Sequence, residues 1–162
     1  MRFCGAWQKV AGTVSVPGRN RLTRRVLAAT LGNAVKQILV VDDSKVMREM
    51  IVACLRPESA LAFTHAASGL EAIEKLTLQR FELLVLDLNM PDIGGIEVVD
   101  FVRAQDTLRE LPIIVVTTRG DEASRTKALR AGASRFMTKP FTPEELLGEV
   151  RALLGLQATK AG

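Results

Sequence analysis

Cysteine is scarce in this chain. Its 162 residues contain two, Cys4 in a basic tail and Cys54 inside a helical pattern, which gives neither a disulfide framework nor the paired spacing of a zinc site. Long apolar runs are missing too. Even the richest are broken within about eight residues, against roughly 18 for a spanning helix, so no segment is suited to crossing a membrane. Acidic side chains are absent from one end: residues 1–36 hold Arg2, Lys9, Arg19, Arg21, Arg24, Arg25 and Lys36 without one Asp or Glu. That segment carries +7, whereas the remaining 126 residues hold 15 basic and 18 acidic groups, a balance of −3. The overall charge of +4 is therefore a poor signature of nucleic-acid binding, because a basic appendage is averaged with a slightly acidic body. With 48% hydrophobic and 25% charged residues the chain can bury a core of single-domain size, and disorder over most of its length is excluded. The expectation is a soluble protein in a reducing, cytoplasmic setting.

From Gln37 onward, short apolar runs alternate with longer stretches of helical periodicity, the pattern of repeated βα units. Five units can be read, predicting a (βα)5 α/β fold. The runs Ile38–Val41, Leu83–Leu86 and Ile113–Val116 are continuously apolar and mostly β-branched or leucine, as strands covered on both faces must be. The runs Leu61–Ala66 and Ser134–Thr138 carry Thr64, His65, Arg135 and Thr138 and suit half-exposed sheet edges. Between them, Val46, Met47, Met50, Ile51, Cys54 and Leu55 predict one apolar helix face after Ser44, and Leu146, Leu147, Val150, Leu153 and Leu154 predict another. Thr142-Pro143-Glu144-Glu145 combines an N-cap, a proline at the first helical position and the glutamate of a capping box; Ser68 and Glu71 repeat the box. Gly132 is expected to close the helix that starts near Asp121, and Gly94-Gly95 to lead into the helix of Ile96, Val99 and Val102.

In a doubly wound sheet the functional crevice lies at the carboxyl ends of the strands, where strand order reverses. The first strand ends in Asp42-Asp43, the third in Asp87, the fourth in Thr117-Thr118 and the fifth in Lys139. An Asp at a strand end is often just the N-cap of the next helix, but the combination is harder to explain that way. Three carboxylates brought together repel in a poorly screened crevice and need positive charge to offset them. Lys139 supplies one charge. A hard divalent cation would supply two more, and an all-oxygen ligand set without His or Cys suits Mg²⁺ or Mn²⁺ rather than zinc. A phosphoryl group is then the natural guest, with Asp87 as its nucleophilic acceptor, Lys139 offsetting its charge and the Thr117 hydroxyl donating to one oxygen.

The stretches ILVVDDSKVMR, LLVLDLNMPDIGG, IIVVTT and AGASRFMTKPF together are highly specific. From Gln37 to about Leu154 the chain closely resembles the receiver domain of bacterial two-component response regulators, of the stand-alone, CheY-like type. The resemblance implies a flavodoxin-like, five-stranded parallel sheet in the order 2-1-3-4-5. It implies Asp87 as phosphoacceptor, and Asp42, Asp43, Asp87 and the main-chain carbonyl of Asn89 around Mg²⁺. It implies Lys139 on the phosphoryl group, Thr117 as switch hydroxyl and Phe136 as switch aromatic, and a cis Lys139-Pro140 peptide. Asn89 and Arg119 would flank the path of a water attacking the phosphoaspartate and set its lifetime; otherwise Arg119 is a solvated loop charge. The plainer reading of Phe136 is an edge-strand core residue, but its placement three before Lys139 favours the switch. His65 and Met90 need no special role.

The domain reading is a basic extension over 1–36, disordered or a mis-assigned start with Val35 as the true first residue, a receiver over 37–156 and a short tail over 157–162. Thr23-Arg24-Arg25 ahead of Val26–Val35 superficially resembles a twin-arginine export signal, but no small-residue cleavage site follows it. With eight residues after Leu154, no output domain is expected. The expected function is a signalling switch, not an enzyme: a monomer, or a dimer once phosphorylated. It takes phosphate from a sensor histidine kinase or phosphotransfer protein and presents its fourth helix, fifth strand and fifth helix to a downstream protein, with chemotaxis the favoured process and no membrane partner. A phosphorelay intermediate or phosphate sink would look the same. A phosphatase of the haloacid dehalogenase type fits less well, because Asp87-Leu88-Asn89 lacks the second carboxylate. A nucleic-acid arm at residues 1–34 is the third alternative and predicts steeply salt-dependent binding.

Overall fold

A computed structural model describes residues 35–157. The expectations for residues 1–34 and for 158–162 fall outside the described residues. The described elements alternate without exception: β1 (Lys36–Val41), α1 (Lys45–Leu55), β2 (Leu61–Ala66), α2 (Gly69–Leu78), β3 (Leu83–Leu86), α3 (Gly95–Ala104), β4 (Ile113–Thr117), α4 (Glu122–Ala131), β5 (Arg135–Thr138) and α5 (Pro143–Leu154). All strand pairs are parallel, in the order β2-β1-β3-β4-β5. Strand order reverses between β1 and β3, which sets the crevice of a doubly wound sheet there.

The period-2 alternation of strand side chains divides the three central strands between two apolar layers. Leu39, Val41, Leu84, Leu86, Ile113 and Val115 face α2, α3 and α4, packing with Leu76, Val98, Val99, Val102 and Ala128. Ile38, Val40, Leu83, Val85, Ile114 and Val116 face α1 and α5, packing with Ile51, Val52, Leu55, Leu146 and Val150. Both edge strands are only partly buried, as their mixed composition predicts. No helix among the described residues is long and apolar enough to cross a membrane.

Two local expectations need correction. Val46 and Met50 do not face the core: they are exposed, and Val52 turns inward with Ile51 and Leu55. The apolar residues of α1 cover too wide an arc for all to reach the sheet, and packing selects the Ile51–Val52–Leu55 side. The N-terminus of α2 is capped by Ser68 Oγ, which accepts from Glu71 N at 3.2 Å, but Glu71 Oε2 accepts from Ala67 N rather than closing the box on Ser68. Glu71 is also drawn toward Lys75, which pairs with it at 2.6 Å. The box at Thr142 and Glu145 forms as predicted, with both reciprocal hydrogen bonds present. Asp121 caps α4, and Gly132 ends it in the left-handed conformation at φ 114° that a side chain would oppose.

Candidate functional site

Strand register brings the chemistry together. Val41 of β1 lies opposite both Ala66 of β2 and Leu86 of β3, so the next residues, Asp42 and Asp87, emerge side by side at the carboxyl edge. The ladder continues into them: Asp42 N donates to Ala66 O at 3.2 Å and Asp87 N to Val41 O at 2.9 Å. On the other side of β3, Thr117 ends β4 opposite Thr138, and Lys139 N donates to Thr117 O at 2.9 Å. The Lys139-Pro140 peptide is cis. Gly95 lets α3 start hard against this edge, since a Cβ there would lie 2.3 Å from Asp87 O and 2.7 Å from Leu88 Cα.

Asp42, Asp43 and Asp87 each offer a carboxylate oxygen within 4.8 Å of the others. Asp42 and Asp87 are buried and Asp43 is exposed. Lys139 Nζ, itself largely buried, lies 2.6 Å from Asp42 Oδ2 and 3.6 Å from Asp87 Oδ2, so its closer partner is Asp42. Asp42 is fixed at further points: its Oδ1 accepts from Ser44 N at 2.9 Å, and its main-chain carbonyl accepts from Arg48 Nη1 at 2.5 Å. Asp87 is held far less completely. Its Oδ1 is buried and has no hydrogen-bond partner. Burial pushes the Asp87 carboxyl above the usual aspartate range; the charge of Lys139 and the main-chain amides of Asn89 and Leu88 pull it back and the charge of Asp42 adds to the rise, with the net result upward.

An orphaned buried oxygen on a carboxylate clustered with two others is costly unless a cation or a strong donor joins it. The donor set contains only oxygen, which fits a hard divalent ion such as Mg²⁺. The residues present therefore fit a divalent ion of this kind.

The remaining predicted residues divide into those that join this cluster and those that lie beside it. Thr117 is fully buried, and its Oγ1 accepts from Asn89 Nδ2 at 2.9 Å and from Arg119 N at 3.2 Å. Asn89 Nδ2 also donates to Thr118 Oγ1 at 3.2 Å. The side chain of Arg119 is exposed, in a shallow hollow with Asn89, Ser124 and Lys127. Phe136 is half-buried on the α2–α3–α4 side, paired with Val115 and so two residues back from the Thr117–Thr138 rung. It lines a surface hollow with Arg125, Phe141, Glu145 and Glu149. His65 and Met90 are half-buried; Met90 packs against the core and the main-chain carbonyl of His65 accepts from Lys75 Nζ.

Arg48 was not singled out from the sequence, although it closes the ILVVDDSKVMR stretch. From α1 its Nη1 reaches back to the carbonyls of Asp42 at 2.5 Å and Asp43 at 3.3 Å, tying down the turn that carries two of the three carboxylates. The only available signal was a cation one helical turn beyond an acidic pair.

Comparison with known proteins agrees with this geometry. The family model described as response regulator receiver domain matches residues 38–151. Chemotaxis protein CheY1 of Helicobacter pylori is 39% identical over 120 residues, covering 74% of this chain and 97% of that protein. Among solved structures, chemotaxis protein CheY4 of Vibrio cholerae superposes with a TM-score of 0.70 at 34% identity, covering 75% of this chain and 100% of that one. The receiver domain of a sensor histidine kinase from Pseudomonas aeruginosa, solved with a magnesium ion coordinated in its active-site cleft, gives a TM-score of 0.69 at 30% identity and covers 75% and 99%. Sheet order, the acidic strand ends and these matches lead to one conclusion: the chain belongs to the response regulator receiver domain family.

Proposed function

We propose that this protein is a phosphorylation-dependent signalling switch in which Asp87 accepts a phosphoryl group from a sensor histidine kinase or phosphotransfer protein. The observation that carries the reading is Asp87 Oδ1, a buried oxygen without a partner in a cluster of three carboxylates and one lysine. A carboxylate oxygen of Asp87 attacks the phosphorus of a phosphohistidine; the new P–O bond forms as the P–N bond breaks, and the departing imidazole nitrogen keeps the bonding pair and takes a proton from water. Asp42, Asp43, Asp87 and the main-chain carbonyl of Asn89 would hold Mg²⁺. The ion's chemistry there is to offset charge on the carboxylates and phosphoryl oxygens. Lys139 shifts its charge from Asp42 toward the incoming phosphoryl oxygens, a short move because it already lies 3.6 Å from Asp87 Oδ2. The Thr117 hydroxyl donates its proton to one of those oxygens, and Phe136 follows it inward, altering the face made by α4, β5 and α5 that a downstream protein reads.

Asn89 and Arg119, which line one hollow with Ser124 and Lys127, would set the lifetime of the acyl phosphate. Position 89 is an asparagine and offers no carboxylic acid to protonate a leaving alcohol as a phosphatase of the aspartyl type needs. Chemotaxis is the pathway favoured by the relatives, several of which are named chemotaxis proteins, and the site of action is the cytoplasm, where a nucleotide-dependent kinase works. The decisive measurement is intact mass after incubation with Mg²⁺ and acetyl phosphate or a kinase. The wild type should gain one labile phosphoryl group and Asp87→Ala none; equal labelling of both overturns the reading.

A further inference from the structure

The side chain of Asn89 makes a connection that its expected place beside the water path does not require. Its Nδ2 spans 28 residues of sequence to donate to Thr117 Oγ1 at 2.9 Å, and shares a second bond with Thr118 Oγ1 at 3.2 Å. The Arg119 amide adds a third hydrogen bond to the cluster, 3.2 Å from Thr117 Oγ1. The Thr117 hydroxyl thus receives two hydrogen bonds, which fill its acceptor sites and leave its proton to be donated elsewhere. Thr117 is completely buried, so a hydroxyl that left these donors would need a new partner at once.

From this arrangement we infer that Asn89 is a positioning residue acting through Thr117: its amide is a latch that holds the switch hydroxyl in its unphosphorylated setting and must let go before the switch can turn. The latch rests on the proposed roles of Asp87 and Thr117 and adds to them. Asn89 sits two residues after the phosphoacceptor on the loop that follows β3, while Thr117 ends β4. One side chain therefore joins the two strand ends whose relative setting the switch changes. Thr118 anchors the latch at its outer end, because an amide bonded to two hydroxyls swings away less readily than one bonded to a single hydroxyl. The energetic consequence is a bias toward the resting state, of the size of one net hydrogen bond, present before any phosphoryl group arrives.

Removing the latch should move the resting equilibrium without touching the acceptor carboxylate. The probe is beryllofluoride at saturating Mg²⁺, with the Thr117 methyl and amide resonances followed by NMR in the wild type, Asn89→Ala and Thr118→Val. Expected for Asn89→Ala are resonances displaced toward their beryllofluoride-bound positions with no beryllofluoride added, and a beryllofluoride affinity raised about two- to tenfold, the equilibrium equivalent of one net hydrogen bond. Thr118→Val should shift both readouts in the same direction by less. A merely structural role would lower thermal stability but leave the resting resonances where the wild type has them. Unchanged or oppositely displaced resonances in Asn89→Ala, in the presence of a normal wild-type response, overturn the latch alone. If the wild type itself shows no response to beryllofluoride, the assignment of Asp87 as acceptor falls with it.

Discussion

The middle of the sheet and its carboxyl-terminal rim are built by the same strands, and the change between them takes one residue. Val41 is buried among Leu39, Leu84 and Leu86; the next residue, Asp42, is equally buried but lies 2.6 Å from a lysine amine. Leu86 and Asp87 repeat the change, and so do Val116 and Thr117. In the middle, every side chain is apolar and contributes by leaving water, about 1.5–3 kcal/mol for each large residue. At the rim, burial works against the folded state, because charged groups lose hydration and only partly regain it from one another. The core thus holds the rim's carboxylates where their own energetics would not keep them. A site held in this way favours any cation that relieves the crowding.

The largest effect should follow from weakening the middle. Leu84 is fully buried and pairs with Ile113 in β4. Leu84→Ala should lower the stability to urea by about 4 kcal/mol, the lost transfer energy plus a cavity that a close-packed sheet cannot fill. A loss below about 1 kcal/mol would contradict a core that supports the rim. The next effect comes from the rim itself. Lys139→Met removes the amine beside Asp42 and Asp87 and should cost about 3 kcal/mol, the usual consequence of leaving buried charge without its partner. Urea unfolding separates the causes when each variant is compared with the wild type at the same Mg²⁺, because the ion stabilises every folded form with intact carboxylates: on adding Mg²⁺ the deficit of Lys139→Met should shrink and that of Leu84→Ala should stay unchanged. Equal recovery in both would mean that the cation does not act through the carboxylates.

This division also explains what the sequence could tell and what it could not. The central strands were legible because parallel strands covered on both faces are continuously apolar, as Ile38–Val41, Leu83–Leu86 and Ile113–Val116 are. The rim was legible because polar residues at the ends of such strands have one place to go, and register places Asp42 beside Asp87. Periodicity failed on α1, where nearly every residue from Val46 to Leu55 other than Arg48 and Glu49 is apolar or small, so it could not choose the arc that buries Val52 and leaves Val46 and Met50 in solvent. Side-chain reach was illegible for a different reason. That Arg48 turns back to two carbonyls, that Glu71 passes over Ser68 to Ala67, and that Asn89 crosses to Thr117 are matters of rotamer and neighbour, which no spacing encodes.

The smallest effect is the most direct test of the rim's opposition to folding. Burial raises the Asp87 carboxyl above its usual range, so the folded protein holds that proton more tightly than the unfolded chain does. Below the ordinary aspartate range the group is protonated in both states and adds no cost. As pH climbs through that range to the raised folded value, the unfolded chain ionises first and stability is lost; above it the loss is complete and constant. Asp87→Asn keeps the shape without the charge and should therefore be more stable than the wild type at neutral pH, by about 1 kcal/mol, within the ordinary span of stabilising substitutions. Its advantage should grow as pH rises through the carboxylate range and vanish in acid. Unfolding midpoints of both proteins across that range, without Mg²⁺, give the sign. An advantage that grew toward acid would show that ionised Asp87 stabilises the fold. Addition of Mg²⁺ should then reverse the order at neutral pH, since the ion binds the folded wild type more tightly than a variant short of one carboxylate and stabilises it by mass action.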